Sequence, residues 1–199
     1  MNNEMKNSKI RCKGCLVLVY VFLALTLASI FVSFLNVIGA AVKSTNELNV
    51  KYEAGSWQYE EAFIGSSNIS NSMVPYEKGE FSSRSFMIAM NIMKILAERL
   101  PVLLILIFLR QLLLVIRKDY TPFKENCVKW VRIIGIVMIL QGVFGNLLIQ
   151  AGISTVVFHS LVIYNPLNLT NVFVGMLILV LAEIFQYGSV LQEEQDTTL

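Results

Sequence analysis

Residues 16 to 42 read LVLVYVFLALTLASIFVSFLNVIGAAV, a run of 27 residues without a charge. A helix rises about 1.5 Å per residue, and ~20 residues cross a hydrocarbon core of roughly 30 Å, so this run is long enough to span a bilayer. Lys6, Lys9, Arg11 and Lys13 stand before it. A basic start followed by apolar sequence also opens a secretory leader, but the apolar core of a leader needs only ~7 to 15 residues. The run therefore reads as an uncleaved anchor, with cleavage near Gly39-Ala40-Ala41 as the lesser alternative.

The rest of the chain has the same character. Of its 199 residues, 55% are hydrophobic and 15% charged, and the mean hydropathy is +0.63. That is more apolar surface than a soluble domain of this size buries, so the bilayer must be the main solvent. Three further runs qualify as spans, at about 96–116, 131–153 and 171–190. The second is preceded by residues 86–95, apolar at helical spacing with Asn91, Lys94 and Glu98 on the opposite face, and Pro101 is expected to kink the resulting long helix. Runs of this length are not the short alternating segments of a membrane barrel. The fold class expected is an all-α integral membrane protein, a single domain of residues 1–199 forming a four-transmembrane-helix bundle with one extracytoplasmic loop region.

Lys and Arg beside the spans set the orientation. The N-terminal tail carries four, and Arg117, Lys118, Lys124, Lys129 and Arg132 cluster between spans 2 and 3, so the tail and the turn at 117–130 belong inside. Residues 43–84 hold more Glu than Lys and Arg, and 154–170 hold no Lys or Arg, so both belong outside. Four crossings return the tail, 191–199, to the inner face. Both termini are expected in the cytoplasm of a multi-pass protein of the cell membrane. A net charge of +2 with no basic stripe gives no reason to expect direct nucleic-acid binding.

Polar and small residues in the spans form stripes: Thr26, Ser29, Ser33, Asn36 and Ala40 in the first, and Gly135, Gly142, Asn146 and Gln150 in the third. Such stripes let helices approach and bond across an interface. Arg110 and Glu183 each lie seven residues from the inner end of a span, at matching depth, and an ion pair between them is expected, with Gln186 one turn along as a further partner. Lys94 and Glu98 are one turn apart and read as a local pair on a solvated face. Arg99, Arg110 and Arg117 fall near one stripe but are too widely spaced for a voltage sensor. Cys12 and Cys15 form a CxxC that lacks two further ligands for zinc, since the only His, His159, lies on the other side. No nucleophile with its base, phosphate-binding loop, metalloprotease helix or carboxylate pair is assembled, so no enzyme, catalytic residue, metal or cofactor is expected.

The outer segment, 43–84, is longer than a connection requires. Val50 to Ala54 and Trp57 to Ala62 alternate weakly, as in a strand pair or ordered cap, while Gly65 to Pro75 reads as loop. Asn68-Ile69-Ser70 fits a glycosylation acceptor pattern that carries meaning only in a eukaryotic secretory setting. Trp57 and Tyr59 are the candidate partner-binding residues here, and Glu193, Glu194 and Asp196 are the candidates in the tail. The acidic tail is expected to fold against Lys124, Lys129 or Arg132 or to face a basic partner.

Two local patterns carry a resemblance. Thr121-Pro122-Phe123, a helix start with Pro at its first position, and residues 181–188, LAEIFQYG, running into LQEEQDTTL at 191–199 together resemble a bacterial domain-of-unknown-function family of YoaS-like small four-helix membrane proteins. The resemblance covers spans 2 to 4 and the tail; Cys12 and Cys15 lie outside it. It implies a regulatory pairing with a small helix-turn-helix protein and brings no catalytic residues. The resulting expectation is a non-enzymatic membrane sensor or regulator coupling the outer loop to a cytoplasmic regulatory protein. The alternatives are a small transporter, an immunity-type membrane protein, or a structural subunit of a membrane complex. Partners beyond the lipid bilayer include that regulatory protein, with homo-oligomerisation left open.

Overall fold

The computed structural model describes residues 2–44, 47–53, 56–61, 65–70, 81–119, 125–164 and 167–197, and side chains within these except at 2–10, 61, 65–70, 119, 192, 193 and 195–197. The elements run α1 (Asn2–Val42), β1 (Val50–Glu53), β2 (Ser56–Glu61), β3 (Gly65–Ser70), α2 (Ser83–Lys94), a π-helical turn (Ile95–Arg99), α3 (Leu100–Asp119), α4 (Glu125–Phe158) and α5 (Leu169–Thr197). Four helical stretches are long and apolar enough to cross a membrane: Arg11–Val42, Ser83–Lys118, Glu125–Phe158 and Leu169–Leu191. The protein is an all-α membrane bundle of four such helices. Each helix extends beyond the run that defines it. The turn expected over 117–130 is shorter, because α3 continues to Asp119 and α4 has begun by Glu125. The Thr121-Pro122-Phe123 helix start and Lys124 lie outside the described residues.

By contacts, the chain divides into two compact units. The first comprises Met1–Thr26, Val102–Leu140 and Thr170–Leu199, and the second Leu27–Pro101 with Gln141–Leu169. They are called here the ion-pair unit and the sheet unit.

In the sheet unit, β1, β2 and β3 form an antiparallel sheet in sequence order. The expected strand pair is present, and Gly65–Ser70, expected as loop, adds a third strand, while 71–75 lie outside the described residues. Register places Val50 opposite Tyr59 and Tyr52 opposite Trp57, on one face, and Lys51 opposite Gln58 on the other. Trp57 and Tyr59 are fully buried, and Lys51, Glu53, Gln58 and Glu60 are exposed. The buried face lands on α2, which starts at Ser82, whose side chain accepts the Ser85 N–H and caps the helix. Phe86, Met87, Ala89 and Met90 supply its apolar side. Trp57 packs on Phe86 at 4.8 Å between ring centroids, on Phe81 at 5.3 Å and on Phe158 at 5.7 Å. Ile149, Ile153 and Val157 of α4 complete this core.

The chain leaving α4 is tied back to it. His159 takes a left-handed conformation (φ 52°), ending the helix as such residues do at C-caps. Gln150 Oε1 accepts the Tyr164 N–H at 2.9 Å, and the Asn168 N–H donates to the Gly142 carbonyl at 2.7 Å. Buried Gln150 therefore serves the backbone of this connection, which accounts for one member of the polar stripe in α4.

Pro101 shapes the helix before it. An α-helix would bring an N–H from position 101 to the Ala97 carbonyl, and proline has none. The chain answers with the π turn at Ile95–Arg99, in which the Leu100 N–H reaches back to Ile95. A side chain at Gly145 would begin 3.4 Å from the Ala97 carbonyl, so the small residue leaves α4 close to that freed group.

In the ion-pair unit, α4 and α5 meet at two glycines. A Cβ on Gly135 would lie 3.1 Å from the Gly175 carbonyl and 2.9 Å from Leu179, and a Cβ on Gly175 would lie 2.8 Å from the Gly135 carbonyl. The two backbones touch, as small residues allow in lipid. Gly135 belongs to the stripe read from sequence; its partner Gly175 does not. Phe108 stacks on Trp130 at 5.6 Å, and the Cys12 thiol reaches the Leu113 carbonyl at 3.7 Å.

Candidate functional site

The ion-pair unit carries an assembled set of polar side chains on α4 and α5. Arg132 lies about two turns into α4, and its Nη2 meets Glu183 Oε1 at 2.8 Å and Gln186 Oε1 at 2.7 Å. Glu183 and Gln186 sit three residues apart and so share one face of α5. The carboxylate neutralises the guanidinium and the amide takes a further N–H, which suits a charge pair on lipid-facing helices.

This corrects the expected partner. Arg110 does not meet Glu183: its Nε donates to the Tyr20 hydroxyl at 3.0 Å and its guanidinium lies over the Tyr20 ring at 5.5 Å. The reason is the length of α4. Arg132 sits one residue inside the expected third span and groups with the basic cluster at its edge, which leaves Arg110 as the arginine at matching depth; with α4 helical from Glu125, Arg132 lies two turns inside a helix and reaches Glu183. The expectation that Gln186 joins the pair holds with the new arginine.

Beside the pair is a half-open groove of about 470 Å³ lined by Glu125, Lys129, Arg132, Gln186 and Ser189 with Val128, Ile133, Ile136 and Val190. Both helices contribute polar and aliphatic residues to it. The tail continues α5 as helix to Thr197, with Glu194 exposed; the side chains of Glu193 and Asp196 lie outside the described residues.

The outer candidates also move. Trp57 and Tyr59 are core residues, because the alternation of β2 turns both toward α2, and neither presents a surface to a partner. The residues β1 and β2 expose are Lys51, Glu53, Gln58 and Glu60. Lys94, read as part of a solvated face, donates from Nζ to the Tyr59 hydroxyl at 2.7 Å and fastens the sheet to α2. Asn91, read on the same face, is buried, and its amide donates to the Met87 carbonyl at 3.0 Å.

One constellation was missed from sequence. Arg99, at the end of the π turn, donates from Nη1 to the carbonyl and the hydroxyl of Ser29 in α1. Ser29 had been read only as a small residue for helix packing, and Arg99 only as a member of a weak arginine stripe. The usable signal was proline: Pro101 disrupts the regular helix phase that the stripe assumed.

Comparison with curated proteins and with solved structures gives no match for the chain. Residues 65–199, more than half its length, match the profile of the DUF2975 family, described as proteins of unknown function, and the chain belongs to that family.

Proposed function

We propose that the protein is a non-enzymatic membrane sensor or regulator, in which the sheet faces the extracytoplasmic side and the groove between α4 and α5 faces the cytoplasm, where it holds a regulatory protein. The observation that carries this reading is the seating of the sheet. A segment that served only to connect α1 to α2 would have no need of three paired strands, yet Trp57 is fastened into Phe86 of α2 and Phe158 of α4. A force or ligand acting on the exposed face of the sheet is thereby felt at the ends of two spanning helices. The helix α4 also contributes Lys129 and Arg132 to the groove. The excess of Lys and Arg around that groove favours an inner position for it, and its mixed lining suits a partner with both acidic and aliphatic groups.

The test is co-purification from native membranes of the full chain and of a chain ending at Gly188, with bound proteins quantified by mass spectrometry. A soluble protein retained by the full chain and lost from the shortened one supports the reading. The same proteins in the same amounts with both would overturn it. A transporter is the second reading, favoured by one observation: the Arg99 cation lies against the middle of the uncharged run of α1.

A further inference from the structure

We propose that Arg99, Ser29 and Ser33 form a binding site for a small inorganic anion, of the size and charge of chloride, at the mid-depth of the membrane. The inference is independent of the regulatory reading. It starts from depth. The uncharged run of α1 extends from Leu16 to Val42, and Ser29 is its central residue, thirteen from either end. At ~1.5 Å per residue, Ser29 lies about 20 Å of helix from each end. Arg99 donates to Ser29, so its guanidinium is held beside the middle of that uncharged run.

A guanidinium keeps its charge in proteins, and a charge at this depth is compensated or costly. Among the described residues, no carboxylate pairs with Arg99. Ser29 offers a carbonyl and a hydroxyl, which are dipoles and leave the unit charge in place. The guanidinium has five N–H groups, and only Nη1 is engaged by Ser29.

Ser33 supplies a second, separate observation. It is 1% exposed, and its hydroxyl is buried without a hydrogen-bond partner. A serine within a membrane helix ordinarily donates to the carbonyl four residues earlier, and for Ser33 that carbonyl belongs to Ser29, where Arg99 already donates. Ser29 and Ser33 lie one turn apart on the same face of α1, with about 5–6 Å between their Cβ atoms. An unspent O–H donor thus lies one helical turn from the serine that holds a guanidinium with N–H groups to spare. A water molecule would satisfy the hydroxyl and leave the charge unanswered; an anion satisfies both.

The backbone is built to aim the arginine there. The π turn at Ile95–Arg99 ends on Arg99 and inserts extra backbone into the helix ahead of Pro101. Turns of this kind rotate the residues that follow relative to those before and recur at functional sites.

The test uses the purified full-length protein in detergent, without any partner, and follows its melting temperature as chloride replaces gluconate at constant ionic strength. The wild type is expected to show a saturable rise with chloride. Ser33→Ala, which keeps the arginine and removes only a hydroxyl, is expected to raise the half-saturating chloride by about tenfold or more, the weight of a hydrogen bond to a charged group. Arg99→Gln is expected to abolish the response. Should Arg99→Gln fail to fold, Ser33→Ala decides alone. No chloride-specific rise in the wild type, equal half-saturation in wild type and Ser33→Ala, or a retained response in Arg99→Gln would each overturn the site.

Discussion

The sheet unit and the ion-pair unit are held together by different forces. The first has a core of the kind found in water-soluble domains: Trp57, Tyr59, Phe86, Met87, Met90 and Ile153 are all at or below 1% exposure, gathered from a sheet, α2 and α4. The second keeps large apolar side chains outward, as with Phe173, Leu177, Ile184 and Leu191, and joins α4 to α5 by a contact of glycine backbones and an Arg–Glu–Gln cluster. The difference follows from the solvent. Apolar burial is driven where the alternative is water. Between helices already in lipid that drive is absent, and close packing and polar bonds take its place.

Substitutions that respect this division should differ in size. Trp57→Ala removes the ring that four others pack against, and a large-to-small change in such a core costs about 3–5 kcal/mol. Thermal unfolding of the purified chain should show the largest loss here; a loss no greater than that of a lipid-facing Phe173→Ala would mean that the sheet is not seated as described. Gly175→Leu places a side chain where 2.8 Å separates a Cβ from the Gly135 carbonyl, and overpacking of this kind costs about 1–3 kcal/mol. The same assay, with crosslinking between cysteines on α4 and α5, should show the two helices forced apart.

The polar cluster should weigh least. Both partners of the Arg132–Glu183 pair are more than a third exposed, and interhelical polar contacts in membranes contribute about 0.6–2 kcal/mol. Glu183→Arg and Arg132→Glu should each lower membrane expression, and the two together should restore it. The pairing of Arg110→Glu with Glu183→Arg should restore nothing, because Arg110 is engaged with Tyr20. Rescue by the Arg110 combination alone would reverse the assignment.

The spans were legible in the sequence because length without charge is a nearly sufficient signal in a bilayer. What lay beside them was less so. Gly65–Ser70 carries Gly, Ser and Asn in place of alternating apolar residues, and its strand is secured by backbone pairing to β2, from Ser56 opposite Ser70 to Glu61 opposite Gly65, which no local pattern announces. Trp57 and Tyr59 were recognised as the weighty residues of the outer segment, but their spacing of two tells only that they share a face, and the target of that face, Phe86 and Phe158, is remote in sequence. Glu183 and Gln186 were found by depth and helical spacing. Their arginine was misassigned because Arg132, at the edge of its apolar run, groups with the basic turn, whereas α4 is already two turns long at that point, and the Arg99–Ser29 contact escaped because a π turn breaks the regular phase on which stripes are read.

Cysteine accessibility in intact cells tests directly the proposal that the sheet is exposed outside the cell and the groove inside. In a chain whose Cys12, Cys15 and Cys127 are replaced by serine, Gln58→Cys on the exposed face of β2 and Lys129→Cys in the groove are each treated with a membrane-impermeant maleimide. Labelling of Gln58→Cys in intact cells, with labelling of Lys129→Cys only after permeabilisation, is the predicted result; labelling of both from outside, or of Lys129→Cys alone, would contradict it.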